Sequence, residues 1–191
     1  MKNPRGMRDQ TVEALHGKAF HLMEWVGRQM AGDMGSVGNK EVFKHSDFIF
    51  MLIKGPNRRN DYHVNYYDEI FLQFQGTVEV GLIDENGHPE TAVLKEGEVL
   101  LIKGNTPHQP RRPEGTLGLV IERPRVTGEQ DGIQWYCHQC HNKLHEVWIQ
   151  CEDIETHLKE ALDVFNNNRE LRTCDKCGAV LPDPRMIVDK G

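Results

Sequence analysis

Residues 55–76, GPNRRNDYHVNYYDEIFLQFQG, place His63, Glu69 after five intervening residues, and Gly76 after six more. A second segment, residues 97–112 (GEVLLIKGNTPHQPRR), supplies His108. Two imidazoles and one carboxylate are the protein ligands a non-haem Fe(II) uses when it must keep positions open for substrate and dioxygen. Two neutral imidazoles and one carboxylate would leave that ion a net charge of about +1 and about three free positions. A histidine on a strand ordinarily packs or faces solvent, and ten histidines make chance pairs easy. Two ligand types at two correctly spaced segments are harder to obtain by chance.

A separate chemistry stands near the C-terminus. Cys137-x-x-Cys140 is followed, after 33 residues, by Cys174-x-x-Cys177. Each short loop can turn two thiolates onto one ion, so the four suit a tetrahedral iron or zinc. Four thiolates would fill its coordination sphere, which makes the site structural rather than catalytic. Residues 137–141, CHQCH, also spell a c-type haem attachment. The second pair downstream argues against that reading. Cys151 is left over as an inert thiol.

The elements that must position these groups are mostly strands. Short runs at 48–53, 63–74, 77–83, 91–94, 99–102 and 117–121 carry β-branched and aromatic residues, and the third alternates Val78, Val80 and Leu82 on one side. Asn86-Gly87 marks a tight hairpin whose central residues need positive φ. Many short strands with Gly-rich turns indicate a sandwich or small barrel. Ahead of them, apolar residues at three- and four-residue steps predict a helix over 11–30, and residues 32–39 a Gly-rich loop. Residues 123–132, RPRVTGEQDG, have the composition of a linker. That divides the chain into 1–130, a catalytic domain, and 131–191, a metal-binding tail. Ile154, Leu158, Ala161, Leu162 and Phe165 give the tail one helix.

The totals fit a domain with a small appendage: 191 residues, 27% charged and 38% hydrophobic. A net charge of −6 speaks against nucleic-acid binding, which needs a basic face. No apolar stretch follows Lys2, Arg5 and Arg8, and the longest apolar run, residues 48–53, is too short to span a bilayer. The expectation is a cytoplasmic protein with no membrane partner, whose cysteines bind metal rather than form disulfides.

The spacing His63, Glu69, Gly76 resembles the first cupin motif, with Asn65 where a second histidine is usual. Residues 97–108 resemble the other, with Lys103 where proline is common and Asn105 where glycine is. The resemblance implies a mainly β protein, a cupin jelly-roll barrel with an N-terminal helix and a four-cysteine C-terminal segment. GPNRRNDYH, HQPRRPEG and LVIER, within residues 37–177, further resemble the 3-hydroxyanthranilate 3,4-dioxygenases, including the cysteine pairs of their bacterial type. These enzymes open an aminophenol ring with O2 and give 2-amino-3-carboxymuconate semialdehyde. The resemblance implies catalytic Fe(II) on His63, Glu69 and His108, a second iron or zinc on Cys137, Cys140, Cys174 and Cys177, and a homodimer. It brings Arg59, Arg112 and Glu122 to the substrate, with Asn39 in a loop over the pocket. Arg112 would hold the substrate carboxylate, Arg59 the negative charge developing on reduced dioxygen, and Glu122 a proton released as the substrate binds. Asp61 either orients His63 or shapes a turn; Arg58 and Arg111 stand aside. Two alternatives stay open: a dioxygenase for a related aminophenol carboxylate, and a non-catalytic cupin binding a small acid.

Overall fold

The computed structural model describes residues 17–31, 39–43, 46–57, 59–150 and 154–186. The expectations for residues 11–16 and 32–38, Arg58, Cys151 and the last five residues lie outside the described residues.

A helix, α1 (Leu22–Ala31), precedes eleven described strands. They are β1 (Asn39–Glu41), β2 (Ile49–Lys54), β3 (Tyr62–Val64), β4 (Glu69–Gln75), β5 (Val78–Ile83), β6 (Pro89–Leu94), β7 (Val99–Ile102), β8 (His108–Arg111), β9 (Leu117–Glu122), β10 (Gln130–Tyr136) and β11 (Lys143–Gln150). Two helices follow, α2 (Ile154–Asn167) and α3 (Arg169–Arg172), and then a 3-10 turn at Pro184–Met186. One sheet has the order β1-β2-β9-β4-β7 and the other β11-β10-β3-β8-β5-β6, with every strand pair antiparallel. Two antiparallel sheets face to face are the expected jelly roll.

Alternation decides what each strand buries. Along β4, Glu69, Phe71 and Gln73 are buried while Ile70 is exposed. Phe71 joins Val78, Val80, Leu94, Ile102 and Val120 in a core between the sheets. On the other face of the five-stranded sheet, α1 lays Trp25 and Val26 against Val42, Leu52, Leu117 and Leu119. A third core forms where α2 covers β10 and β11: Phe165 stacks on Trp135 at 4.2 Å between ring centroids, with Ile133 and Leu181 beside them.

Four details differ from the sequence expectation. The helix starts at Leu22, because Gly17 adopts φ +70° and residues 17–21 are not helical; the His21 ring accepts from the Glu24 amide at the new start. The single run expected over 63–74 is two strands in different sheets, with 65–68 crossing between them. In the hairpin only Gly87 has positive φ; Asp84 Oδ1 accepts from the Asn86 and His88 amides and shapes the turn instead. Finally, the six-stranded sheet runs across the 130/131 boundary, since β10 pairs with β3 through Gly132–Val64, Ile133–His63 and Gln134–Tyr62. Among the described residues, no helix is long and apolar enough to cross a membrane.

Candidate active site

His63 and His108 stand directly opposite one another on the neighbouring strands β3 and β8. Both turn inward, with ring centroids 5.2 Å apart. Glu69, the first residue of β4, meets them from the other sheet. Its Oε1 lies 3.3 Å from His108 Nε2 and 3.7 Å from His63 Nδ1. One ligand atom from each of the three falls within 4.8 Å of the others, a spacing that fits a single ion.

The outer ring nitrogens explain why the inner ones are free to ligate. His63 Nε2–H donates to Asp131 Oδ2 at 2.7 Å, and His108 Nδ1–H donates to the Thr106 carbonyl at 3.0 Å. Each bond fixes which way the ring faces, so that the nitrogen toward Glu69 is the one placed to ligate. Asp61 is therefore not the residue that orients His63. Its carboxylate is taken by Arg59, through Nε at 3.0 Å and through Nη2. The orienting residue is Asp131, 68 positions further along, and no local motif marked it.

Around the three ligands lies a cavity of about 170 Å³, lined among others by Asn39, Arg59, Phe71, Glu122, Asp131 and Ile133. Asn39, Arg59 and Glu122 thus share one cavity with His63, Glu69 and His108. Asn65, which replaces a motif histidine, donates through Nδ2 to Glu69 Oε1 and, at 3.3 Å, to Glu122 Oε2. Asn105 adopts φ +63° at its motif's glycine position, a backbone region asparagine enters more easily than most residues. Arg125, from the stretch with a linker's composition, donates from Nε and Nη2 to both oxygens of Asp131 at 2.8 and 2.7 Å, and from Nη1 to Glu122.

Arg112 is set apart from the others: it does not line this cavity. It lies two residues past Pro110 on the inward face, and its Nη1 donates to Gln73 Oε1 at 3.2 Å. Gly118 leaves room there, since a Cβ on it would come within 2.6 Å of Arg112 Nη1. Pro110, Phe71 and Val120 line the cavity, and Arg112, Gln73 and Gly118 follow at the same two-residue step. The guanidinium is therefore one layer behind the cavity wall, about 7 Å along the strands. Its Nε and Nη2 are buried without a partner among the described residues.

Charge follows the same geometry. Burial alone would raise the Glu69 pKa, but His108, His63 and Arg125 outweigh it and hold the carboxyl down at about 2. Burial disfavours charge on His108, yet Glu69 draws its pKa up. Glu122 is raised, first by burial and then by Glu69, so it holds a proton more readily than an ordinary carboxyl. Burial lowers the unpaired Arg112 to about 10.

The four cysteines also converge. Their sulfurs lie within 4.8 Å of one another, with Cys137–Cys177 and Cys140–Cys174 both at 3.5 Å. The two loops repeat one another's bonds. Cys137 N–H donates to Asn142 O and His141 N–H to Cys137 O; Cys174 N–H donates to Ala179 O and Gly178 N–H to Cys174 O. Asn60 joins this region to the catalytic strands, through Nδ2 to Asn166 and Pro182 and through Oδ1, which accepts from Trp135 Nε1.

Residues 15–166 match the family described as 3-hydroxyanthranilic acid dioxygenase. The chain belongs to this family. Proteins named 3-hydroxyanthranilate 3,4-dioxygenase are similar over most of its length. That of Bacillus thuringiensis is 40% identical over 87% of this chain and 93% of its own. That of Burkholderia cenocepacia is 40% identical over 91% and 98%, and that of Neurospora crassa 39% identical over 76% and 82%. The matched span includes the positions of His63, Glu69, His108, Arg59, Arg112 and Glu122, and a cupin-type dioxygenase implies a metal cofactor. The matched span ends before Cys174, so the four-thiolate site rests on its own geometry.

Proposed function

We propose that this chain opens the ring of 3-hydroxyanthranilate with O2, as a non-haem Fe(II) dioxygenase, and releases 2-amino-3-carboxymuconate semialdehyde. The observation that carries the reading is the meeting of His63, Glu69 and His108 in the cavity that Arg59 and Glu122 also line, in a chain of the 3-hydroxyanthranilic acid dioxygenase family. The donor set supports Fe(II): two oriented imidazoles and one carboxylate would hold the ion and leave it positions open. Bound there, the ion supplies a place where the substrate's hydroxyl and amine and dioxygen come together.

The protein's own residues do the rest. Glu122, its pKa raised, takes up the proton the substrate loses on binding. Arg59, held by Asp61 at the cavity edge, faces the charge that develops on oxygen. Arg112 takes the substrate carboxylate, reaching for it from the layer behind the cavity wall. It is the better of the two arginines for that role, because Arg59 is already paired while Arg112 keeps two nitrogens free. Phe71, Val120 and Ile133 exclude water from the space between.

The reading extends to a structural iron or zinc on Cys137, Cys140, Cys174 and Cys177, and to a homodimer in a reducing cytoplasm, without nucleic-acid or membrane partners. The test is aerobic incubation of the Fe(II)-loaded protein with 3-hydroxyanthranilate. Appearance of a near-ultraviolet-absorbing product with matching oxygen uptake is expected. Binding of the acid without oxygen uptake would overturn the reading in favour of a non-catalytic cupin.

A further inference from the structure

Arg125 comes from the stretch that composition marks as a linker, yet its side chain is only 8% exposed. It is the hinge point of a closed circuit of side chains. From the ligand His63, Nε2–H donates to Asp131. Both Asp131 oxygens accept from Arg125, whose remaining terminal nitrogen donates to Glu122. Glu122 Oε2 accepts from Asn65 Nδ2, and Asn65 also donates to Glu69, the second ligand. Glu69 faces His63 Nδ1 at 3.7 Å, closing the ring.

We infer that Arg125 is the positioning residue of this site: one guanidinium aims His63 at the metal and, by the same group, holds Glu122 at the substrate. The inference deepens the proposed function and rests on it. Three carboxylates, Glu69, Glu122 and Asp131, border one small cavity. Buried carboxylates this close need a shared cation, and Arg59 is occupied by Asp61. Only a planar fork can meet both oxygens of Asp131 and still present a third nitrogen to Glu122; a lysine offers three protons on one atom and cannot span them. Ligand orientation and substrate proton acceptor are thereby set by one side chain outside both roles.

The test separates the two arms. Asp131→Asn cuts only the arm to His63 and is expected to weaken Fe(II) binding at the triad by about 10–100-fold, measured by chelator competition with the four-cysteine metal quantified separately. Glu122→Gln cuts the other arm while Asn65 keeps its bond to Glu69; it is expected to lower kcat while leaving Fe(II) affinity within about twofold of wild type. Arg125→Lys, which keeps the buried charge, should do both at an unchanged melting temperature. The double variant Arg125→Lys/Asp131→Asn should bind Fe(II) no more weakly than Asp131→Asn alone, because both changes break one arm. Wild-type Fe(II) affinity in Arg125→Lys, or losses that multiply in the double variant, would overturn the inference while leaving the proposed function intact. Wild-type protein whose Fe(II) affinity is indifferent to His63→Ala would overturn the metal reading and this inference with it.

Discussion

At Arg112 a guanidinium is buried, 2% exposed, with two of its three nitrogens unpaired among the described residues. Such a group is costly until an anion arrives, by about 1–3 kcal/mol. Arg112→Met should therefore raise the melting temperature of the substrate-free protein and abolish tight substrate binding. Arg112→Lys should raise KM for 3-hydroxyanthranilate about ten- to hundredfold, from the loss of roughly 1.5–3 kcal/mol, and change turnover of 2-aminophenol much less. Equal losses for both substrates would move the carboxylate to Arg59. His108 makes a pH prediction. In the metal-free site its pKa stands above 6.5, so its contribution to stability is full below 6.5 and fades as pH rises through the raised value. Glu69, depressed from 4.5 to about 2, contributes above 4.5 and loses that contribution as pH falls toward 2. The stability difference between metal-free wild type and His108→Gln should peak between about pH 4.5 and 6.5. Metal binding must displace the His108 proton, so Fe(II) affinity should climb as pH rises from 6.5. A flat affinity from pH 6 to 8 would contradict the pairing. The triad was legible in sequence because ligand types and spacing are local. Asp131 and Arg125 were not, because they reach His63 only through the pairing of β10 with β3.

The strands were legible where alternation is clean, as in β4 and β5, and illegible in β10 and β11. The reason is physical: β10 buries Asp131 and Gln134 by ion pairing and hydrogen bonding, so polar residues occupy positions an alternation argument gives to apolar ones. The same pairing explains why residues 123–132 read as linker while holding two sides of the active site. The cysteine loops carry a prediction of their own. Positions 141 and 178 are equivalent in the two loops and both adopt positive φ, +59° and +74°, but one is His and the other Gly. An L-residue in that region costs about 1–2 kcal/mol, and glycine loses about 0.5–1 kcal/mol to chain entropy. His141→Gly should thus leave the segment as stable or up to about 1 kcal/mol more stable. Gly178→Ala, although a Cβ there meets nothing within 4 Å, should lose about 1 kcal/mol. Thermal melts of the metal-loaded variants check both; a stabilising Gly178→Ala would show that the φ values do not govern these loops.

Across the whole molecule, the three ligands are divided between the layers: two histidines on adjacent strands of one sheet, and Glu69 on a strand of the other. An ion held by all three is a rivet through the seam of the sandwich. Occupancy then reports on mechanical integrity as well as on catalysis. At metal concentrations 100 times Kd, the rivet is worth about 2.7 kcal/mol against unfolding. Stripping it should open that seam first, so amide hydrogen exchange should quicken in β3, β4 and β8 and hardly change in β5 and β6. Uniform acceleration through both sheets would mean that the layers are clamped elsewhere. A cell short of that metal would then hold this protein in a looser form, more open to proteases, so that the supply of the ion would bear on how long the chain survives.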